Sequence, residues 1–357
     1  MAKTKIVTII GARPQFIKAA VVSRALKQFE TTAEEKIIHT GQHFDANMSD
    51  IFFDELDIPK PHFHLGVGGG THGQNTGRMM EKIEAVLMEE KPSMVLVYGD
   101  TDSTLAGAIA AVKLHIPVAH VEAGLRSFNK KMPEEINRIL TDHSADILFT
   151  PTATATTHAL AEGIAKEKIQ QVGDVMLDAA LYYASVSSNT IIEKLSLEPR
   201  QFILTTLHRA ENVDDKSRLQ QILNGLAQSN MTVILPMHPR TKKRLLEFGL
   251  TLPVNIRIIE PVGYLEMIKL EEQAALIATD SGGVQKEAYF HQTPCVTMRD
   301  ETEWVELVEC GANILTGADE SKIVNAIQQS LTVSKDIFSR PLYGKGDAGL
   351  LIAKAIV

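Results

Sequence analysis

Asp280-Ser281-Gly282-Gly283-Val284-Gln285-Lys286-Glu287 follows an apolar run at 274–278 and combines residue types suited to holding a nucleotide. Two adjacent glycines let the backbone approach a ligand closely, and the residues after them have helical composition. A helix starting at Ser281 would aim its free N–H groups and positive dipole end at an anion, most simply a diphosphate. Glu287, about one turn further on, could accept hydrogen bonds from both hydroxyls of a ribose. A plainer reading stands beside this one: Asp280 and Ser281 cap a helix behind a tight turn.

Carboxylates make a second group. Tyr98-Gly99-Asp100 ends one apolar run, His120-Val121-Glu122-Ala123-Gly124-Leu125-Arg126 ends the next, and Pro133-Glu134-Glu135-Ile136-Asn137-Arg138 follows soon after. Asp100 would serve equally as a helix N-cap, and a proline with two glutamates suits a helix's first turn. Glu122 is harder to explain structurally, because a carboxylate against a buried strand is costly unless paired. Asp100, Glu122 and Glu134 are expected at one edge of one sheet, where crowding would raise their pKa values and make them acids and bases. Gly11-Ala12-Arg13-Pro14-Gln15-Phe16-Ile17-Lys18 lacks the glycines of a dinucleotide fingerprint but places Arg13 and Lys18 at a helix mouth. His208-Arg209 and His238-Pro239-Arg240 each follow a strand end, which favours a phosphate pocket over two unrelated structural histidines. The glycine-rich 66–73 segment, with no convincing strand before it, reads as a lid or a featureless flexible loop.

The elements that must position these residues alternate along the chain. Strands are expected at 5–10, 36–39, 94–98, 118–121 and 147–149, then at 202–206, 233–235, 256–259, 274–278 and 295–298. Helical spacing occupies 17–29, 77–90, 104–114 and 219–228, and a long helical stretch spans 177–197. Two such series predict two doubly wound α/β domains with parallel sheets. Ligands of such sheets sit beyond the carboxyl ends of the strands, where the strand order reverses. Nearly every unusual cluster follows a strand end.

Composition narrows the classes. Hydrophobic residues make up 44%, aromatic 5% and charged 22% of 357 residues, with a net charge of −8. That profile suits a soluble globular protein and argues against a nucleic-acid or membrane-surface binder. The two cysteines, Cys295 and Cys310, are too few for a disulfide framework or a cysteine-built zinc site. No Asp-x-Asp clearly serves Mg²⁺. No apolar stretch approaches the roughly 18 residues of a membrane span, and a cytoplasmic location is expected.

Together these segments, with Gly41-Gln42-His43, 173–178 and Tyr343-Gly344-Lys345-Gly346, resemble the non-hydrolysing UDP-N-acetylglucosamine 2-epimerase family over almost the whole chain. The resemblance implies two Rossmann-like domains in the glycosyltransferase-B arrangement, facing across a cleft that holds UDP. Domain limits of 1–175 and 176–340 follow, with a final helix at 341–357 returning to the first domain. It implies no metal or dissociable redox cofactor, a UDP-2-acetamido sugar as substrate, and a homodimer. Ser281, Gly282 and Gly283 would hold the diphosphate and Glu287 the ribose. Arg13, Lys18, Gln42, His43, Arg138, Arg209 and His238 would line the substrate site. Asp100, Glu122, Glu134 and His208 would be the catalytic groups.

Two departures from the family pattern stand out. Glutamate is usual where this chain has Gln15, and members acting on UDP-N-acetylglucosamine usually carry arginine where it has Trp304. The wording around Trp304 and across 41–53 looks closest to a subgroup acting on UDP-2,3-diacetamido-2,3-dideoxy-glucuronate in surface-polysaccharide synthesis. UDP-N-acetylglucosamine is the other substrate reading, and the family's allosteric use of a second such molecule is in doubt here. A retaining glycosyltransferase and a non-catalytic nucleotide-sugar sensor are the alternatives of other classes.

Overall fold

A computed structural model describes residues 3–42 and 58–357, with the side chain of Arg13 excepted. The chain divides into two compact units, Met1–Ala179 with Leu342–Val357, and Ala180–Pro341.

In the first unit a parallel sheet has the order β3-β2-β1-β4-β5-β6-β7. Its strands are β1 (Thr4–Ile10), β2 (Ala33–His39), β3 (Phe63–His64), β4 (Met94–Tyr98), β5 (Val118–Val121), β6 (Ile147–Thr150) and β7 (Ile169–Gln171). The second unit repeats the plan as β10-β9-β8-β11-β12-β13. There the strands are β8 (Phe202–Thr206), β9 (Thr232–Pro236), β10 (Ile256–Ile259), β11 (Leu276–Thr279), β12 (Cys295–Thr297) and β13 (Asn313–Leu315). Both sheets are doubly wound, so each reverses direction once: between β1 and β4, and between β8 and β11.

The central strands are near-continuous apolar runs because both faces are covered by helices. Val7, Ile9, Val95 and Val97 are fully buried in the first unit, as are Ile203, Val233, Leu276 and Val296 in the second. Each such side chain contributes roughly 1.5–3 kcal/mol of burial.

Several expectations are corrected. The short strands β3, β7 and β13 were not anticipated, since Phe-His, Ile-Gln-Gln and Asn-Ile-Leu hold too few apolar residues to read as runs. Strand β11 starts two residues late because Ala274 closes the preceding helix, Tyr264–Gln273. The 177–197 stretch is not one helix but two, Val175–Val186 and Thr190–Lys194. Ser187-Ser188-Asn189 separates them, and such side chains compete for backbone hydrogen bonds.

The 66–73 segment is also tied down more than expected. Strand β3 leads into it, Val67 N–H donates to the Thr40 carbonyl at 2.7 Å, and Gly70 exchanges hydrogen bonds with Asn75. The last helix, Ala348–Ile356, belongs to the first unit, where Gly349 packs on Val21 and Asp178 accepts from the N–H groups of Ala348 and Gly349.

Candidate active site

In the first unit the reversal point lies between the turns that follow β1 and β4. Gln15 joins them: its Oε1 accepts from Gly11 and Ala12 N–H at 2.8 and 3.0 Å, and its Nε2 donates to the Tyr98 carbonyl at 2.8 Å and Thr104 at 2.9 Å. A glutamate lacks the N–H that reaches Tyr98, so the departure at this position is built into the turn. Gly99 has φ +63°, and a Cβ there would come 3.3 Å from the Lys18 ammonium. Glycine therefore serves both the left-handed backbone and the approach of that cation.

Asp100 follows Gly99 and accepts from Nε and Nη2 of Arg138 at 3.0 and 2.8 Å. Glu122 follows the neighbouring strand β5 and pairs with Lys18 Nζ at 2.6 Å. Its φ of +68° is unusual for a side-chain-bearing residue and marks local strain at this turn. Of the three carboxylates expected to crowd together, Asp100 and Glu122 are each paired with a cation, Arg138 and Lys18. Glu134 is exposed in the first turn of the helix Pro133–Ser144.

The buried neighbour is Glu135, which accepts from Ser127 and Phe128 N–H and from Arg138 Nη1. Burial pushes its carboxyl up, but these donors outweigh burial and hold it below the ordinary range. Both Glu134 and Glu135 stand at helical spacing from Arg138, so the sequence does not single out Glu135 as its partner. Gln42 accepts from Ser103 N–H and Oγ at 3.0 and 2.7 Å, at the start of the helix Asp102–Lys113. Arg13 begins the helix Arg13–Leu26, but its side chain lies outside the described residues, as does all of His43.

In the second unit the reversal point lies between the turns after β8 and β11. Asp280, fully buried, accepts from the N–H groups of His208 and Arg209 at 3.0 and 2.9 Å. It braces the opposite turn rather than its own helix. Ser281 is the N-cap of the helix Gly282–Phe290 yet makes no side-chain capping bond. Neither Gly282 nor Gly283 has positive φ. A Cβ at Gly283 would meet nothing within 4 Å, and one at Gly282 only side-chain ends at 3.8–3.9 Å, Arg209 among them. The chain's own packing requires neither glycine, which leaves the backbone of the pair open to a ligand's approach.

His208 lies 3.3 Å from Asp280 through Nδ1, and its ring centroid is 5.6 Å from that of His238. Burial lowers the His208 pKa below its ordinary value, Asp280 pulls it up, and His238 and Arg209 lower it further. His238 is exposed, and its Nδ1 caps the helix Pro239–Phe248 by accepting from Arg240 N–H at 3.2 Å. Glu287 is half-buried on the Gly282–Phe290 helix. Trp304, whose indole donates to the Gly282 carbonyl at 2.9 Å, carries the Lys286 ammonium 4.2 Å from its ring centroid. The tryptophan thus occupies the edge of the glycine turn, a placement not foreseen from sequence.

Two doubly wound units, one with cation-paired carboxylates at adjacent strand ends and one with a glycine-led helix start at its reversal point, suit a nucleotide-sugar enzyme. The chain belongs to the UDP-N-acetylglucosamine 2-epimerase family, whose model matches residues 24–357. It is a UDP-sugar 2-epimerase, an isomerase. It is 56% identical to the UDP-2,3-diacetamido-2,3-dideoxy-D-glucuronate 2-epimerase of Pseudomonas aeruginosa, over 98% of each chain. With the UDP-N-acetylglucosamine 2-epimerase of Methanocaldococcus jannaschii it shares 47% identity over 99% of this chain and 98% of that one. The crystal structure of that archaeal enzyme in complex with UDP-GlcNAc and UDP superposes with a TM-score of 0.85, covering 99% of both chains.

Proposed function

We propose that this enzyme interconverts UDP-2,3-diacetamido-2,3-dideoxy-glucuronate and its manno epimer at C2. The observation that carries the chemistry is the pair of carboxylates at adjacent strand ends, Asp100 on Arg138 and Glu122 on Lys18. The substrate choice is supported by the 56% identity with the P. aeruginosa enzyme of that name and by Trp304 at the glycine turn.

The C2 hydrogen of such a sugar has no neighbouring carbonyl to acidify it, so deprotonation alone is prohibitive. Elimination avoids the problem. A carboxylate takes the C2 proton while the C1–O bond breaks, and its electron pair leaves with the diphosphate of UDP. The resulting C1=C2 glycal then accepts a proton on the opposite face of C2 as UDP re-adds to C1. Two faces need two proton-handling groups. Asp100 and Glu122 supply them, with the solvent-facing Glu134 as a third carboxylate. The second unit carries the leaving group: the Gly282–Phe290 helix start, His208 and Arg209 for the diphosphate, and Glu287 for the ribose. Arg13, Gln42, His43 and His238 complete the substrate contacts in this reading. The enzyme acts in the cytoplasm as a homodimer, supplying the manno sugar to surface-polysaccharide assembly.

UDP-N-acetylglucosamine is the second reading, supported by the 47% identity with the M. jannaschii enzyme. Incubation of each UDP-sugar in D₂O, followed at C2 by NMR, tests both. Deuterium entering C2 with two interconverting epimers and UDP retained is expected, fastest with the diacetamido-glucuronate. Absence of exchange with either sugar would sink the proposal.

A further inference from the structure

His120 and Asp142 are buried completely, and no step of the chemistry above uses either. His120 lies in β5 and Asp142 on the helix Pro133–Ser144. The His120 ring has Asp142 Oδ1 2.7 Å from Nδ1 and the Gly99 carbonyl 2.7 Å from Nε2. The other Asp142 oxygen accepts from Gly124 N–H at 3.0 Å and from Arg126 Nη1 at 2.7 Å. Burial pushes the Asp142 carboxyl up, yet the His120 ring and Arg126 outweigh it and hold the group below the ordinary range. A carbonyl only accepts, so His120 Nε2 donates to Gly99, while Nδ1 faces the Asp142 carboxyl. Arg126 passes on to Glu162 at 2.7 Å through Nε and Nη2.

One carboxylate therefore reaches two turns. Through His120 it holds Gly99, the residue before Asp100, and directly it holds Gly124, two residues after Glu122. Both turns are left-handed, at φ +63° for Gly99, +68° for Glu122 and +79° for Gly124. Such backbone persists only where its surroundings over-determine it. We propose that Asp142, acting with His120, is a positioning residue for the reaction, fixing the spacing between the Asp100 and Glu122 turns. The inference rests on the proton-handling roles given to those two carboxylates.

Asp142→Asn and His120→Gln test it, with Asp100→Asn and Glu122→Gln made alongside. Epimerisation, deuterium entry at C2, KM and UDP affinity are measured with UDP-2,3-diacetamido-2,3-dideoxy-glucuronate. Misplacing a reacting group by about 1 Å costs roughly 100-fold, so kcat and C2 exchange should fall together by about that factor in both variants. KM and UDP affinity should stay within about threefold, because the lost interaction acts on the transition state rather than on binding. Near-parental turnover in either folded variant overturns the proposal, as does a loss confined to KM. If Asp100→Asn and Glu122→Gln also remain active, the acid–base reading itself has failed and there is nothing to position. Should both variants fail to fold, the parent enzyme decides. Its ring nitrogen NMR spectrum must show hydrogen on His120 Nε2, the atom facing the Gly99 carbonyl, and a bare Nε2 refutes the arrangement.

Discussion

Each unit of this enzyme sets a histidine beside a buried aspartate at the end of its sheet, and the two pairs are used differently. His120 and Asp142 have no exposed side-chain surface, and their polar atoms are spent within the first unit on turns and on Arg126. Asp280 is equally buried, but it spends its oxygens on the backbone N–H groups of His208 and Arg209, and the His208 ring keeps 37% of its surface. The first pair braces other groups. The second holds a backbone turn while leaving its imidazole accessible to a ligand. The difference suits the proposed division of labour: proton transfer needs carboxylates fixed to within a fraction of an ångström, whereas an anion site needs donors that can reach out.

The comparison breaks most decisively at the carboxylates. Asp100→Asn and Glu122→Gln should each lower turnover by about 10²–10⁴, the range for general acid–base groups. UDP affinity, measured by calorimetry, should hardly change if the second unit alone carries the nucleotide. A matching collapse of UDP binding would show that the labour is not divided this way.

A second test separates the units by the sign of their pH response. In the first, burial chiefly pushes Asp178 up to about 6 from 3.8, against the donors Gly349 and Ala348. The folded state then binds the proton before the unfolded one, so this contribution to stability is present at low pH and is lost as pH rises from about 4 to 6. In the second, burial pushes His291 down to about 4 from 6.5. Here the unfolded state binds the proton first, so stability is lost as pH falls from about 6.5 to 4. Each effect is on the order of 3 kcal/mol across its window. Urea unfolding of Asp178→Asn and His291→Gln at several pH values should show slopes altered in opposite directions, and slopes altered alike would contradict the assignment.

How much of this was legible in the sequence differs by region. Strands such as 94–98 and 118–121 declared themselves because doubly covered strands are apolar throughout. The residues after them followed from the rule that parallel sheets bind beyond their strand ends. What stayed hidden depends on partners distant in sequence. Nothing local tells that Asp142, 22 residues from His120, is its partner, or that Gln15 reaches Tyr98 across 83 residues. Glu134 and Glu135 are adjacent and alike in type, and only the helix orientation shows that Glu135 is the buried one. The cations on Asp100 and Glu122 were both named from sequence, but their pairing is a tertiary fact.

Glu287 sharpens the second half of the comparison. A carboxylate that accepts from a ribose makes charge-assisted hydrogen bonds, worth roughly 1.5–3 kcal/mol. Glu287→Ala should therefore weaken UDP binding by about 10- to 100-fold, while uridine-free anions such as pyrophosphate lose little. Equal weakening of both would place the defect in the helix start rather than in ribose recognition.

The smallest effect bears most directly on the two histidines. Burial lowers the His208 pKa, with His238 and Arg209 adding to it against Asp280, which favours the neutral ring. A diphosphate at the Gly282–Phe290 helix start would favour the charged ring, so binding should take up a proton. Linkage then tightens UDP binding as pH falls below neutrality, by at most roughly tenfold per pH unit for one proton. UDP has its own ionisation in that range, so the informative quantity is the difference between the parent enzyme and His208→Gln. The excess tightening should vanish in that variant. His120→Gln should leave it intact, because the His120 ring is committed to Asp142 and Gly99 and has no atom left for a ligand. Loss of the pH response in His120→Gln would erase the distinction between a brace and an addressable ring.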